Sequence, residues 1–261
     1  MSSTIGKLGK LARVLIKNPG EFRDRVLTIM ESHADRVRKR PDLKTLSSEL
    51  LLQQLSEKTG LDLSQFLTET ALKEIEAKVI ERQKEFLQSG EEDLFHNASL
   101  GLARCCYATC RAMQPEVVLE TGVGYGVTSA FFLQALAVNA RGRLWSIDLP
   151  PLGADSERQS GVLVPNELRS RWNICRGRAR DVLPRVLSEV KEVNVFLHDS
   201  LHTYRNMAFE FQTVWPRLRA GGVLLSDDVG MNGAFEDFCS MVSPAFSATD
   251  GSAYFGVAVK G

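Results

Sequence analysis

The run Glu120-Thr121-Gly122-Val123-Gly124-Tyr125-Gly126 follows the apolar triplet Val117-Val118-Leu119 and leads into a helical pattern at 127–139. Glycines at a strand-to-helix junction let the backbone turn tightly and bring a ligand close to the chain. The spacing is G-x-G-x-G; a dinucleotide fingerprint needs a further glycine at 127, and Val127 stands there. Asp148 closes the next apolar run, Trp145-Ser146-Ile147-Asp148. A carboxylate at that point can accept both hydroxyls of a ribose; the plainer alternative is a strand-end acid ahead of Pro150-Pro151. Three more acids end later apolar runs: Asp199 after 193–197, and Asp227 with Asp228 after 223–226. His202 stands three residues past Asp199, and an imidazole with an unperturbed pKa near about 6.5 can take a proton at neutral pH. The bland alternative is a helix-start histidine that only hydrogen-bonds. His198 precedes Asp199 by one, so strand alternation turns it to the other face as a structural residue. Tyr204 either packs below this site or touches its ligand.

These residues need a frame that brings strand ends together. From about residue 96 the chain alternates short apolar runs with amphipathic segments, the pattern of a parallel sheet with crossover helices. Strands are expected at 117–119, 143–148, 172–175, 193–197 and 223–226, with helices at 97–113 (Asn97 as cap), 127–139, 180–190, 202–219 and 232–241. Two closing strands near 244–248 and 253–259 are spaced to pair antiparallel. Gly221-Gly222 is expected to end the 202–219 helix. Residues 1–95 read as helices at 5–17, 21–39, 45–57 and 64–88, broken by Asn18-Pro19-Gly20 and Pro41. This N-terminal helical region is a cap, a homodimerisation element or a wall for a substrate pocket. Its basic amphipathic opening, with Lys7, Lys10, Arg13 and Lys17, docks on the protein or a partner, lies on a membrane surface, or serves targeting. The division is thus 1–95 and 96–261. The loop 149–166, rich in Pro, Gly and Ser, is expected to order over bound ligands.

Composition narrows the classes. The 261 residues are 44% hydrophobic and 25% charged, which excludes global disorder. Thirty-two basic residues balance thirty-two acidic ones, so the concentrated positive field that nucleic-acid binding requires is missing. No window approaches 18 consecutive apolar residues, so no membrane span is expected. The five cysteines form no C-x-x-C pair, and Cys106 and Cys110 fall in the stripe Leu102, Cys106, Cys110, Met113, which reads as core packing in a reducing, cytoplasmic compartment.

A glycine loop and a ribose acid without a pyrophosphate fingerprint suit S-adenosylmethionine (SAM). The glycine-loop run, Ser146-Ile147-Asp148-Leu149-Pro150 and Gly221-Gly222-Val223-Leu224-Leu225-Ser226-Asp227-Asp228 resemble, in order and spacing, the class I SAM-dependent methyltransferases. More narrowly they resemble the metal-dependent small-molecule O-methyltransferases of the catechol and antibiotic-sugar types. The resemblance covers about residues 97–261. It implies an α/β fold with a doubly wound, mostly parallel seven-stranded sheet whose final strand is reversed. It also implies SAM held by Glu120, Gly122, Gly124, Tyr125, Gly126, Thr128, Asp148, Gly177, Arg178 and Asp199. In the implied strand order the strands ending at Asp199 and at Asp227-Asp228 are neighbours. Their three carboxylates would then converge and invite a hard divalent cation such as Mg²⁺. His202 matches the general base of the catechol-type relatives, acting with Asp199 on a small-molecule hydroxyl acceptor. Two positions depart from the pattern. Leu201 stands where a second acid is common, and Arg178-Ala179 follows Gly177 where an acid often reads adenine; Asp181 is a substitute for it or simply part of the helix. Transfer to nitrogen or carbon, with the acids structural, is the second enzyme reading. A catalytically silent SAM-fold subunit is the third, and a nicotinamide oxidoreductase the weakest because of Val127.

Overall fold

Side chains alternate between two apolar layers along the central strands, which is why these segments form a sheet covered on both faces. The computed structural model describes residues 14–16, 19–37, 45–88, 98–149, 159–251 and 254–261. Most of the expected 5–17 helix, the Asn97 cap and residues 150–158 of the expected ligand-ordered loop lie outside them. The strands are β1 (Thr45–Leu46), β2 (Val117–Thr121), β3 (Arg143–Asp148), β4 (Trp172–Arg176), β5 (Val193–His198), β6 (Leu218–Ser226), β7 (Phe246–Asp250) and β8 (Gly256–Val259). Their order is β1-β7-β8-β6-β5-β2-β3-β4, parallel throughout except that β8 runs antiparallel to both β6 and β7. The seven expected strands are all present with the reversed final strand, and β1 adds an eighth by pairing with β7.

Val118, Val195, Leu197, Val223, Leu225, Val257 and Val259 pack on one face. Leu119, Phe196, Leu224 and Ala258 pack on the other. The first face is covered by α2 (Ser48–Thr59), α3 (Thr70–Gln88), α4 (Leu100–Met113) and α5 (Val127–Val138), which share one core from Leu51 and Ile75 to Phe131 and Leu136. The second is covered by α6 (Ala179–Val190), α7 (Tyr204–Val214) and α8 (Ala234–Val242). Cys105, Cys106 and Cys110 are buried in α4, and all five cysteines are free thiols, as the apolar stripe led one to expect. No helix among the described residues is long and apolar enough to cross a membrane.

Several expected boundaries move, each for a local reason. The expected 45–57 helix begins only after the β1 pairing, at a Ser47 cap whose Oγ accepts from the Leu50 amide at 3.2 Å. The expected 64–88 helix breaks at Glu69, whose carboxylate takes the Arg111 guanidinium at 2.7 and 2.9 Å and the Tyr107 hydroxyl at 2.5 Å. Ser99 caps α4, its Oγ accepting from the Leu102 amide at 3.1 Å. The expected 202–219 helix stops at Val214, a 3₁₀ turn carries Pro216, and Leu218 already starts β6. Gly221-Gly222 therefore does not end a helix. It sits where the β5–β6 register slips between Val193 and Val195, a bulge that needs the positive φ of Gly221.

The second core centres on Phe211, whose ring lies 5.4 Å from that of His198, 5.2 Å from Phe238 and 6.2 Å from Phe235. Replacing Phe211 with Ala is expected to cost about 3–5 kcal/mol, the range for a buried aromatic that leaves a cavity. Urea unfolding of the variant measures it, and a loss below about 1 kcal/mol would contradict the packing.

Candidate active site

Parallel pairing delivers four loops to one edge. β2 lies between β3 and β5, and β6 flanks β5, so Thr121 meets Ile147 and His198, and His198 meets Ser226. The pairing continues past the strand ends: the Gly122 amide donates to Ile147 O at 2.8 Å, the Asp199 amide to Thr121 O at 2.8 Å, and the Asp227 amide to His198 O at 2.9 Å. Gly122 has φ +83°, and a Cβ there would fall 1.9 Å from Asp199 O, so only glycine lets these two loops touch. A cavity of about 590 Å³ opens above them. Gly122, Gly124, Tyr125, Thr128, Asp148, Gly177, Arg178, Asp199, His202, Asp227 and Asp228 all line it.

Glu120 and Gly126 do not reach that wall. Gly126 caps α5 in the left-handed region, where a Cβ would meet Gly161 Cα at 2.9 Å. Glu120 is fully buried, and its carboxylate accepts from Thr128 Oγ1 (2.7 Å), Ser129 Oγ (2.6 Å) and Ser146 Oγ (2.7 Å). The expectation that Glu120 touches the ligand is corrected: strand alternation turns it inward, where it braces α5 against β2 and β3. Burial pushes its carboxyl up to about 7 against the lowering effect of the three hydroxyls.

Asp148 is also engaged within the chain. Its Oδ2 takes Ser160 Oγ at 2.6 Å and Arg176 Nη1 at 2.9 Å, and its Oδ1 takes the Val123 amide at 3.2 Å. The segment after the undescribed loop residues is stitched to the glycine loop by Gly161 N to Gly124 O and Leu163 N to Tyr125 O, both at 2.9 Å. Arg178 is paired with Asp181, at 2.6 Å from Nε, so Asp181 serves the helix start.

Asp199 and Asp227 bring a carboxylate oxygen each, and His202 a ring nitrogen, to within 4.8 Å of one another. Asp228 approaches the same ring nitrogen: His202 Nε2 is 3.9 Å from Asp199 Oδ1 and 3.8 Å from Asp228 Oδ2. Burial and then the neighbouring Asp227 charge push the Asp199 carboxyl well above its ordinary value. Burial and then Asp228 push Asp227 up to about 6, and burial also raises Asp228. Such crowding of acids is what a divalent cation relieves. The donor set, two carboxylates with a third and an imidazole at its edge, fits such an ion.

Beneath this cluster sits an acid that the sequence motifs do not single out. Glu210 is fully buried on the apolar stripe of α7 between Met207, Phe211 and Val214. It accepts from Thr121 Oγ1, from Ser200 Oγ at 2.8 Å and from Asn206 Nδ2 at 2.9 Å, and lies 2.6 Å from His198 Nδ1. Burial alone would raise its carboxyl; the pull of His198 and these hydrogen bonds outweigh it, and the group is held below its ordinary range. His198 is therefore structural, as alternation indicated, and its ring stands edge-on to His202 at 5.3 Å. Tyr204 points away from the cavity, its hydroxyl donating to Asp237 on α8 at 2.8 Å. Leu201, where a second acid was looked for, lines the cavity as an apolar wall. One further element joins the wall: α1 (Pro19–Val37), the expected 21–39 helix, from which Arg25 and Thr28 line the same cavity. Of the roles open to the helical half, α1 takes that of a pocket wall.

Residues 119–229 match a family model described as a methyltransferase domain. No curated protein sequence matches the chain. Among solved structures, the O-methyltransferase TomG of Streptomyces achromogenes, involved in tomaymycin synthesis and in complex with SAM, is 17% identical. The match covers 74% of this chain and 91% of that one at a TM-score of 0.54. The O-methyltransferase of Bacillus cereus in complex with SAH (S-adenosylhomocysteine) is 15% identical over 81% of this chain and 97% of its own, TM-score 0.52. The SAH-bound methyltransferase PaMTH1 of Podospora anserina is 14% identical over 70% and 87%, TM-score 0.52. At these identities the likeness establishes the fold: a Rossmann-like methyltransferase sheet with helices on both faces.

The raised Glu120 carboxyl has a consequence for stability. An acid whose folded pKa lies above its unfolded value binds a proton more tightly when folded, so stability falls as pH rises between the two, here from about 4.5 to about 7. The contribution over that window is about 3 kcal/mol. Glu120→Gln is expected to flatten this part of the decline. Urea titrations at pH 5 and 7.5 test it, and equal losses in the variant and the wild type would contradict it.

Proposed function

We propose that this chain, whose residues 119–229 match a methyltransferase domain, is a SAM-dependent O-methyltransferase acting on a hydroxyl of a small metabolite with the help of a divalent cation. The observation that carries the reading is the junction of the glycine loop with the Asp199, His202 and Asp227 cluster in one cavity. Two structural neighbours described as O-methyltransferases, one holding SAM and the other SAH, support it.

SAM, when bound, supplies an activated methyl group, and a divalent ion lowers the pKa of a hydroxyl and holds it in place. The residues do the rest. Backbone groups of Gly122 to Gly126 approach the donor closely, and Asp148 offers acceptor oxygens to a ribose in company with Ser160 and Arg176. Asp199 and Asp227 are the residues that would hold the cation, with the Asp228 carboxylate close by. His202 Nε2 receives the acceptor's proton, and the nearby carboxylates stabilise the imidazolium that results. Alignment of acceptor and donor is the main contribution of a site of this kind, because charge is neutralised rather than created as the methyl group moves. Leu201, lining the same space, helps keep water from the reacting centre. The placing of a His202 nitrogen among the acid oxygens also favours a second reading of this residue, as a metal ligand. An imidazole in the set would turn preference from Mg²⁺ toward a transition metal such as Mn²⁺.

Radiolabelled methyl transfer from SAM to a panel of hydroxylated small molecules, with Mg²⁺, Mn²⁺ or chelator, tests both readings. Activity that chelator suppresses at least tenfold and Mg²⁺ restores is expected, with Asp199→Asn as inactive as the chelated enzyme. His202→Ala is expected to lose about 10²–10⁴-fold in rate and to lose the rate's dependence on pH between about 5 and 8. Unchanged turnover in chelator would overturn the cation's role. An unaltered pH profile in His202→Ala would overturn the base, and strict Mn²⁺ dependence abolished in that variant would favour the ligand reading.

A further inference from the structure

Past Asp227 and Asp228 the chain makes a 3₁₀ turn, Val229–Met231, and reaches Asn232 before α8 begins at Ala234. Asn232 is 3% exposed, so the polar atoms of its amide must find partners inside the protein. Its Oδ1 accepts from the Ala234 amide at 2.9 Å. Its Nδ2 donates to His202 O at 3.1 Å and toward Met207 Sδ at 3.3 Å. These partners leave one orientation of the amide, because the Ala234 N–H needs an acceptor while the carbonyl and the thioether need a donor.

The two ends of that amide do different things. Closing the turn into α8 takes only an oxygen, which Asp, Ser or Thr supplies as well. The nitrogen is what sets asparagine apart from them, and it goes to His202. The bond joins the loop that carries Asp227 and Asp228 to the turn that carries Asp199 and His202, 30 residues away in the chain. The rest of that turn is anchored elsewhere. The Asp199 amide is on Thr121 O at 2.8 Å, Ser200 Oγ on Glu210 at 2.8 Å, and Leu201 O on Asn206 Nδ2 at 3.0 Å. These anchors lie on β2 and α7. Asn232 supplies the anchor toward β6, whose loop brings Asp228 Oδ2 to 3.8 Å from His202 Nε2. An imidazole that serves carboxylates on two loops keeps its place when the two loops keep their separation. At a reacting centre a displacement of about 1 Å costs up to about a hundredfold in rate.

We propose that Asn232 positions His202 for the reaction: its amide N–H, bonded to His202 O, sets the imidazole against the Asp199 and Asp228 carboxylates. This rests on the methyl-transfer reading, in which His202 is base or cation ligand, and adds the residue that places it. Asn232 touches neither substrate nor cofactor; it acts through His202.

Three variants of the full chain separate the ends of the amide. Asn232→Ser and Asn232→Thr keep an oxygen for the Ala234 amide but are too short to reach His202 O. Met207→Leu removes the other acceptor and leaves the His202 bond. The first measurement needs no turnover: imidazole ¹H–¹⁵N spectra of the SAH-loaded chain, with His202 assigned by its loss in His202→Ala. The His202 ring signals are expected to move by more than a linewidth in both Asn232 variants and to stay in Met207→Leu. The His198 signals, held by Glu210, are expected to stay in all three and so verify the fold. The second is methyl transfer with Mg²⁺, SAM and the most active compound of the hydroxylated panel. There kcat is expected to fall at least tenfold in the Asn232 variants, with both KM values within threefold, and to stay within threefold of wild type in Met207→Leu. Should Asn232→Ser not fold, Asn232→Thr, closer to asparagine in size, carries the test. Unmoved His202 signals, kcat within threefold of wild type in the Asn232 variants, or equal losses in Met207→Leu would overturn the proposal. Moved His202 signals with no compound of the panel methylated would tell against the methyl-transfer reading and leave the placing of His202 by Asn232 standing.

Discussion

Everything at this site depends on β2 and β5 lying side by side with nothing between their ends. The Asp199 amide reaches Thr121 O at 2.8 Å, and Gly122 closes over Asp199 O so tightly that a methyl group there would overlap it. Because β3 and β6 flank this pair, the glycine loop, Asp148, Asp199 and Asp227 are positioned by strand pairing. No long-range side-chain contact is needed to collect them. A parallel sheet spaces its strands about 4.8 Å apart, so acids one or two residues past neighbouring strand ends fall within one ion's reach. Asp199 and Asp227, each one residue past the end of its strand, come together in this way, and His202 joins them from the turn that follows.

Two buried glutamates brace the loops from below, and their environments push them in opposite directions. Glu120 has only hydroxyl donors and neighbouring acids, and burial raises its carboxyl to about 7. Glu210 has His198 beside it as well as three donors, and its carboxyl is held low. The first ties α5 to β2 and β3. The second ties the ends of β2 and β5 and the Ser200 turn to α7. A buried carboxylate that loses a partner costs several kcal/mol, so each is a rigid strut under a loop that must hold its geometry. The Asp199, His202 and Asp227 cluster rests on these interior groups.

Much of this was legible in the residues. Alternation along the strands, the glycine loop and the acids ending apolar runs placed the sheet and most of the cavity wall, because these signals are local and repeat with the sheet's own period. Glu120 was misread because a motif gives the residue type and not the face of the strand, whereas its neighbours Ser129 and Ser146 lie on other elements. Glu210 carried a readable signal, a lone acid on the apolar stripe Met207, Phe211 and Val214, which demands buried partners. The 202–219 and 64–88 helices read too long because their apolar spacing runs on through Pro216 and Glu69, where tertiary contacts redirect the chain. The position of α1 was not legible at all. It is set by Asp35 meeting the Tyr204 amide and Glu31 meeting Arg205, pairings some 170 residues apart that no local pattern announces.

A crystal soaked with SAH and Mn²⁺ and recorded at the manganese absorption edge tests whether the acids at these strand ends hold a cation beside the nucleoside. One anomalous peak is expected between the Asp199 and Asp227 carboxylates, with nucleoside density lying over Gly122 to Gly126 and its ribose at Asp148. Nucleoside density in that cleft with no metal peak at those acids, or a peak elsewhere, would contradict it.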